Sequence, residues 1–262
     1  MYSNPEAYEQ FMGRWSARLA SPFVRFACAG NRLDAVDVGC GTGSLTRALL
    51  AADAAHSVVA VDPVAQYVSF AQRRTRDSRA RFEVGAAEAL PFAEETFDAA
   101  LGLLILQDVA DPRRAVDEMA RVVRRGGSVS TCLWDFRHRM PMLSLFWRAA
   151  EAVAPRLVAE RRAARPPYHP GRDELTALWM AAGLDEVRAS GLEISMEFTS
   201  FDDFWRPFLG GGTPTSVFAR DLDDATGGDL ARALRSEIRD IRLDGSFVLH
   251  ARAWAVTGTT IR

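Results

Sequence analysis

The sequence contains no lysine, so every one of its 32 basic side chains is arginine. A Schiff-base lysine and a P-loop lysine are thereby excluded, and with them pyridoxal enzymes and Walker-type nucleotidases. Cysteine is scarce. Cys28, Cys40 and Cys132 form no disulfide framework and no CxxC pair, which fits a reducing cytoplasm and gives no structural zinc motif. Long apolar runs are missing too: Leu101–Leu106 is broken by Gly102 and is far too short to span a bilayer. No basic segment followed by an apolar stretch opens the chain, so no signal peptide is expected. Internal repeats and low-complexity tracts are absent. Excess charge is also missing, since 32 basic and 34 acidic residues leave a net charge of −2 and no global field for nucleic acid.

What remains is a 262-residue chain, 48% hydrophobic and 25% charged, ample for a folded core. Apolar periodicity predicts a helix over residues 5–29, with Phe11, Trp15, Leu19 and Phe23 recurring every fourth position. Strands are expected at 35–39, 57–62, 80–84, 97–104 and 128–134. Helices are expected at 44–54 and 64–76, and from Asp111 to a stop at Gly126-Gly127. Strict alternation of strand and helix implies a doubly wound α/β fold with a mainly parallel sheet. In such sheets ligands bind beyond the carboxyl ends of the strands. Farther on, the pattern predicts a long helix over 142–164, a helix over 174–182, a strand over 186–198, helical segments over 201–241 and a last strand over 247–256.

Chemistry concentrates in Val36-Asp-Val-Gly-Cys-Gly-Thr-Gly-Ser-Leu45. Gly39, Gly41 and Gly43 remove Cβ atoms between a strand and a helix, where a ligand can meet the backbone. Their GxGxG spacing differs from the GxGxxG dinucleotide fingerprint. Asp62 ends the next strand. It can accept the hydroxyl protons of a ribose or cap the helix after Pro63, and the glycine loop in register favours the first role.

Together with Phe82–Phe92, with Phe97–Leu106, and with Asp111-Pro112 followed by Glu118–Gly127, these residues resemble the class I methyltransferases that use S-adenosylmethionine (SAM). The resemblance covers about residues 5–135 and is weaker beyond. It implies a seven-stranded Rossmann-like sheet with helical lid insertions and, as cofactor, SAM, with S-adenosylhomocysteine as product. By the same resemblance, Gly39, Cys40 and Gly41 face the methionine and ribose parts, Asp62 the ribose, and Pro63, Ala86, Ala87 and Glu88 the adenine. Leu104 and Gln107 fall near the methionine amino group. Arg14 pairs with the carboxylate, and Tyr8 closes over the cofactor. Where the family usually has an aspartate, this chain has Ala86, which cannot accept from the adenine amino group. The expected division is an N-terminal helical cap at 1–30, a cofactor core at 31–135, and a remainder at 136–262 with lid insertions at 136–172 and 200–242. The lid offers Phe146, Trp147, Tyr168, Phe201, Phe204, Trp205 and Phe208 to a flat or hydrophobic acceptor, with Gly210–Gly212 as a hinge.

A general base for an oxygen, nitrogen or carbon acceptor is sought among Asp135, His138 and His169. No His/Asp/Glu spacing points to a metal. The expected partner is a small molecule, with no nucleic acid and no membrane, and a homodimer is left open. Two other readings share the motif. One is a SAM-binding fold that acts as a cyclase, decarboxylase or binding module, and the other is an NAD-dependent oxidoreductase.

Overall fold

A computed structural model describes residues 4–28, 32–164, 169–210 and 213–261. Seven strands form one sheet in the order β3-β2-β1-β4-β5-β7-β6. The first five are β1 (Leu33–Val38), β2 (Ala55–Asp62), β3 (Ala80–Val84), β4 (Phe97–Leu103) and β5 (Val123–Trp134). They pair in parallel. β7 (Phe247–Thr259) runs antiparallel to β5, and β6 (Asp185–Phe198) lies at the edge. Chain connections leave β1 toward β2 on one side and return to β4 on the other. The β1/β4 seam is therefore the topological switch point, where the crevice of an open α/β sheet lies.

Local sequence explains most element ends. Gly43, at φ 82, caps α3 (Ser44–Ala51) in the left-handed region that glycine tolerates. Asp111 accepts the Arg114 N–H at 3.0 Å and caps α5 (Pro112–Val122), and Pro112 fills the first turn, where its missing N–H costs nothing. The N-terminal segment is helical as α1 (Pro5–Tyr8) and α2 (Arg14–Ala27), joined by a π-helical turn at Glu9–Gly13. α4 (Ala65–Arg74) follows Val64, which occupies the N-cap position.

Three expectations are corrected. Gly126-Gly127 does not end α5, which stops at Val122, and both glycines lie inside β5. A Cβ on Gly127 would stand 2.5 Å from the Asp98 carbonyl, so the glycine permits a close strand approach. The expected helix over 142–164 is two helices, α6 (Pro141–Val153) and α7 (Pro155–Ala164). Pro155 lacks an N–H and pushes Ala154 out of the helical region, to φ −140. The helical stretch 201–241 is three helices: α9 (Phe201–Leu209), α10 (Pro214–Arg220) and α11 (Asp224–Glu237).

The chain groups into two compact units. One holds Met12–Trp134, Pro170–Leu192 and Ala253–Arg262, and the other holds Met1–Phe11, Asp135–His169 and Glu193–Arg252. In the first, Val36, Val38, Val59, Val61, Met119 and Val129 meet Leu175 and Trp179 of α8 (Arg172–Ala181) in one apolar core. In the second, the aromatic residues expected to line an acceptor pocket form the core instead. Phe146, Phe204 and Phe208 are fully buried. Phe146 stacks on Phe208 at 4.8 Å, and Phe11 meets Phe208 edge-on at 5.2 Å. Trp147, Phe201 and Trp205 keep partial exposure. Tyr168, Gly211 and Gly212 lie outside the described residues. No described helix is long and apolar enough to cross a membrane.

Trp179 anchors α8 to the sheet. It is fully buried, and its Nε1–H donates to the Val129 carbonyl at 2.9 Å. Trp179→Ala should cost about 3–5 kcal/mol of unfolding free energy, measured by urea denaturation. A loss below ~1 kcal/mol would mean that α8 is not part of the cooperative core.

Candidate functional site

The turn after β1 is built for close approach. Gly39, at φ 71, donates its N–H to the Val61 carbonyl at 2.7 Å, and Cys40 donates to the same oxygen at 2.9 Å. A Cβ on Gly39 would fall 2.2 Å from Cγ2 of Ile105, the residue two beyond the end of β4. Gly102 is held against Ile105 in the same way, with a Cβ distance of 2.8 Å. Gly41, at φ 51, is the opposite case: a Cβ there would meet nothing within 4 Å. The loop thus leaves open space above Gly41 while its neighbour Gly39 is tightly packed.

Three ionisable groups converge under this loop. Asp62 accepts the Gly41 N–H at 3.0 Å through Oδ2 and the Val64 N–H at 2.9 Å through Oδ1. Burial raises its pKa, opposed by these two amides. Each oxygen keeps a second acceptor position. Asp37, fully buried near the end of β1, accepts the Thr46 hydroxyl at 2.6 Å through Oδ2. Its Oδ1 is buried and has no hydrogen-bond partner among the described residues. Burial lifts the Asp37 carboxyl up to about 7, with the charge of Asp62 adding to the rise. The Cys40 thiol is pushed well above its ordinary range by burial and then by Asp37 and Asp62. It stays protonated and is no nucleophile.

The remaining sequence-derived positions fall on three further segments. Pro63 is exposed at the end of β2. Ala86 accepts the Ala89 N–H at 3.2 Å in a tight turn that also carries Ala87 and Glu88. Glu88 Oε1 accepts the Ala110 N–H at 2.8 Å, tying this turn to the segment after β4. Leu104 adopts φ 63, unusual for a side chain of its size, with its N–H on the Cys132 carbonyl at 2.8 Å. Gln107 Nε2 donates to the Leu104 carbonyl at 2.5 Å, and its buried Oε1 has no partner among the described residues. Arg14 lies over the Trp15 ring at 4.3 Å. Tyr8 belongs to the other compact unit, on α1.

Asp135, His138 and His169 also belong to that second unit. Asp135 is buried and held by Arg252 through Nη2 at 2.6 Å and Nε at 3.1 Å. His138 is exposed and donates its backbone N–H to Asp135 Oδ1 at 3.2 Å. His169 stacks on Phe136 at 4.3 Å. Its pKa is lowered by burial and by the charge of Arg137. Among the described residues, no group of three or more His, Cys, Asp or Glu side chains could hold a metal ion.

Sequence reasoning quoted Asp37 within the loop motif but gave it no role. The available signal is an acid between Val36 and Val38 in the buried half of β1, a placement that costs free energy without a partner. Ile105 carried no signal, because its importance lies in a contact across the sheet seam.

The family described as methyltransferase domain matches residues 36–131. The demethylmenaquinone methyltransferase of Roseiflexus sp. (strain RS-1) is 34% identical over 164 residues, covering 58% of this chain and 68% of that protein. The demethylmenaquinone methyltransferase of Bacillus licheniformis is 32% identical over 198 residues, covering 70% and 77%. The structure of Haemonchus contortus phosphoethanolamine N-methyltransferase 2, solved with SAM, shares the fold at a TM-score of 0.62 and 16% identity. That match covers 98% of this chain and 57% of the other.

Asp37 makes stability depend on pH with an unusual sign. Its folded pKa of about 7 lies above the ordinary 3.8. Between those values the folded state holds a proton that the unfolded chain has released, so its contribution declines as pH rises through that window. Asp37→Asn keeps an acceptor for Thr46 and removes the titration. The stability of the variant relative to the parent should grow from pH 4 to pH 8, measured by urea unfolding at each pH. A constant difference across that range would rule out the buried titration.

Proposed function

The chain belongs to the class I S-adenosylmethionine-dependent methyltransferases, and from that premise we propose that it methylates a small, flat, largely apolar ring compound of the demethylmenaquinone kind. The observation that carries the cofactor half of this reading is the open space over Gly41, whose N–H is held by the Asp62 carboxylate. A cationic ligand suits that setting, because a positive charge brought to the loop favours the ionised carboxylates. The relatives' names support the acceptor half.

The residues present fit the cofactor. Gly39, Cys40 and Gly41 would offer backbone to its central part, and Asp62 would share its free acceptor positions with the ribose hydroxyls. Pro63 and the turn Ala86–Glu88 would border the adenine. Leu104, Gln107 and Arg14 would hold the amino-acid end, with Tyr8 as cover. When bound, SAM supplies a methyl group on a sulfonium, a leaving group that departs neutral, so in-line positioning supplies much of the rate.

An acceptor that loses a proton needs a base. His169 suits this role better than Asp135 or His138. Its lowered pKa keeps the imidazole neutral at neutral pH, whereas Asp135 is committed to Arg252. A cytoplasmic location and action on a small molecule rather than nucleic acid belong to the same proposal, supported by three unpaired thiols and by the near-zero net charge. A homodimer is compatible with it.

Calorimetric titration with SAM, S-adenosylhomocysteine and NADH tests the cofactor. Both adenosyl compounds should bind and NADH should not, and binding of NADH alone would sink the proposal. Methyl transfer to a reduced demethylmenaquinone analogue tests the acceptor, and tight SAM binding with no transfer to any ring acceptor would favour the non-methylating reading. Asp62→Ala should weaken SAM by about 1–3 kcal/mol, or roughly 5- to 150-fold in Kd, and unchanged binding would displace the site. His169→Gln should lower kcat by about a hundredfold and remove the acid limb of the pH profile, expected below the ordinary 6.5 because the pKa is lowered. Persistence of that limb in the variant would assign the base elsewhere.

A further inference from the structure

α5 carries Arg114, Glu118 and Arg121 at i, i+4 and i+7, one stripe along the helix. Beside it runs the buried apolar stripe Ala115, Met119 and Val122. The charged stripe holds the backbone of residues 88–92. Arg114 Nε donates to the Glu88 carbonyl at 2.8 Å. Glu118 Oε2 accepts the Leu90 N–H at 2.8 Å. Arg121 donates to the Phe92 carbonyl at 2.9 Å and to the Leu90 carbonyl at 3.2 Å. Glu118 and Arg121 also fork onto each other at 2.6 and 2.8 Å, a bidentate, charge-assisted geometry that fixes both side chains. The other end of the segment is tied as well, by Gly85 N–H on the Asp62 carbonyl at 3.1 Å.

We propose that Glu118 and Arg121 are positioning residues that set the base selectivity of the cofactor site, by holding the turn Ala86–Glu88 in register. The inference rests on the reading that this turn borders the adenine. Ala86 has no side-chain acceptor for an exocyclic amino group. Glu88 already commits Oε1 to the Ala110 N–H. That bond fixes the Glu88 carboxylate and leaves Oε2 as its free acceptor, so discrimination between bases falls on Glu88 Oε2 and on the peptide N–H and C=O groups of the turn. Peptide groups discriminate only when fixed, because a hydrogen bond weakens steeply with a modest change of distance or angle. Of the four backbone bonds from α5, the one from Arg114 reaches Glu88 in the turn itself, and the three from Glu118 and Arg121 hold Leu90 and Phe92 directly after it, so the turn is fixed from outside the site through residues that need not touch the ligand.

The test compares S-adenosylhomocysteine with S-inosylhomocysteine, in which a carbonyl oxygen replaces the adenine amino group, by calorimetry on the full chain. The parent should prefer the adenine compound. Arg121→Gln and Glu118→Gln should each lower affinity for the adenine compound about tenfold and bring the preference between the two ligands close to one. The unliganded melting temperature should move by only a few degrees. Arg113→Gln, which breaks the exposed Arg113–Asp117 pair on the same helix, should leave the preference intact. Equal weakening of both ligands, with the preference unchanged, would show a merely structural role and overturn the inference. So would a parent that binds both compounds equally. A parent that binds neither overturns the cofactor reading, and this inference with it.

Discussion

Ile105 presses on Gly39 from one side of the sheet's switch point and on Gly102 from the other, at distances that leave no room for a Cβ. This contact locks the turn after β1 to the segment after β4. Much of the site follows from it. With Gly39 pinned, the chain turns through Cys40 to Gly41 with positive φ at both glycines, and the free side of Gly41 faces open space. With Ile105 pinned, Leu104 is forced to φ 63, a strain of order 1–3 kcal/mol that the surrounding packing must offset. Strain of that kind persists only where neighbours over-determine the backbone. Here the Cys132 carbonyl and the Gln107 amide hold Leu104 on both its polar groups.

The same packing explains the electrostatics. A parallel sheet covered on both faces excludes water from β1, so the Asp37 carboxyl is costly as an anion and retains a proton near neutrality. Asp62, at a strand end, is less extreme because two backbone amides point at it. Thr46 also gives Asp37 a side-chain and a backbone hydrogen bond, but complete burial outweighs both.

How much of this was legible in the sequence depends on the range of the interactions involved. The five parallel strands and the glycine turn could be read directly, because continuous apolar runs and loop glycines are local signals. Gly126-Gly127 was misread as a helix stop. The same residues can end a helix or allow a strand to approach a neighbouring carbonyl, and only the Asp98 contact decides between them. The break at Pro155 was readable from the proline alone and was overridden by the apolar periodicity around it. Arg114, Glu118 and Arg121 carry no local signal of a tertiary role. Their partners lie more than 20 residues away in sequence, so spacing could not reveal them. The aromatic residues of the second unit were readable as large and apolar, but not as facing each other rather than a ligand.

The corner where β5 leaves the sheet and β7 enters shows how a carboxylate at a strand end is tied into the fold. Asp135 and Arg252 share more than an ion pair in which Nε and Nη2 both donate to Oδ2: the Asp135 N–H donates to the Arg252 carbonyl at 2.9 Å, and the Arg252 N–H to the Arg139 carbonyl at 2.8 Å. Backbone and side chains of both residues are therefore bound to one another. Desolvating such a pair offsets much of its Coulombic gain, yet removing one partner strands a buried charge.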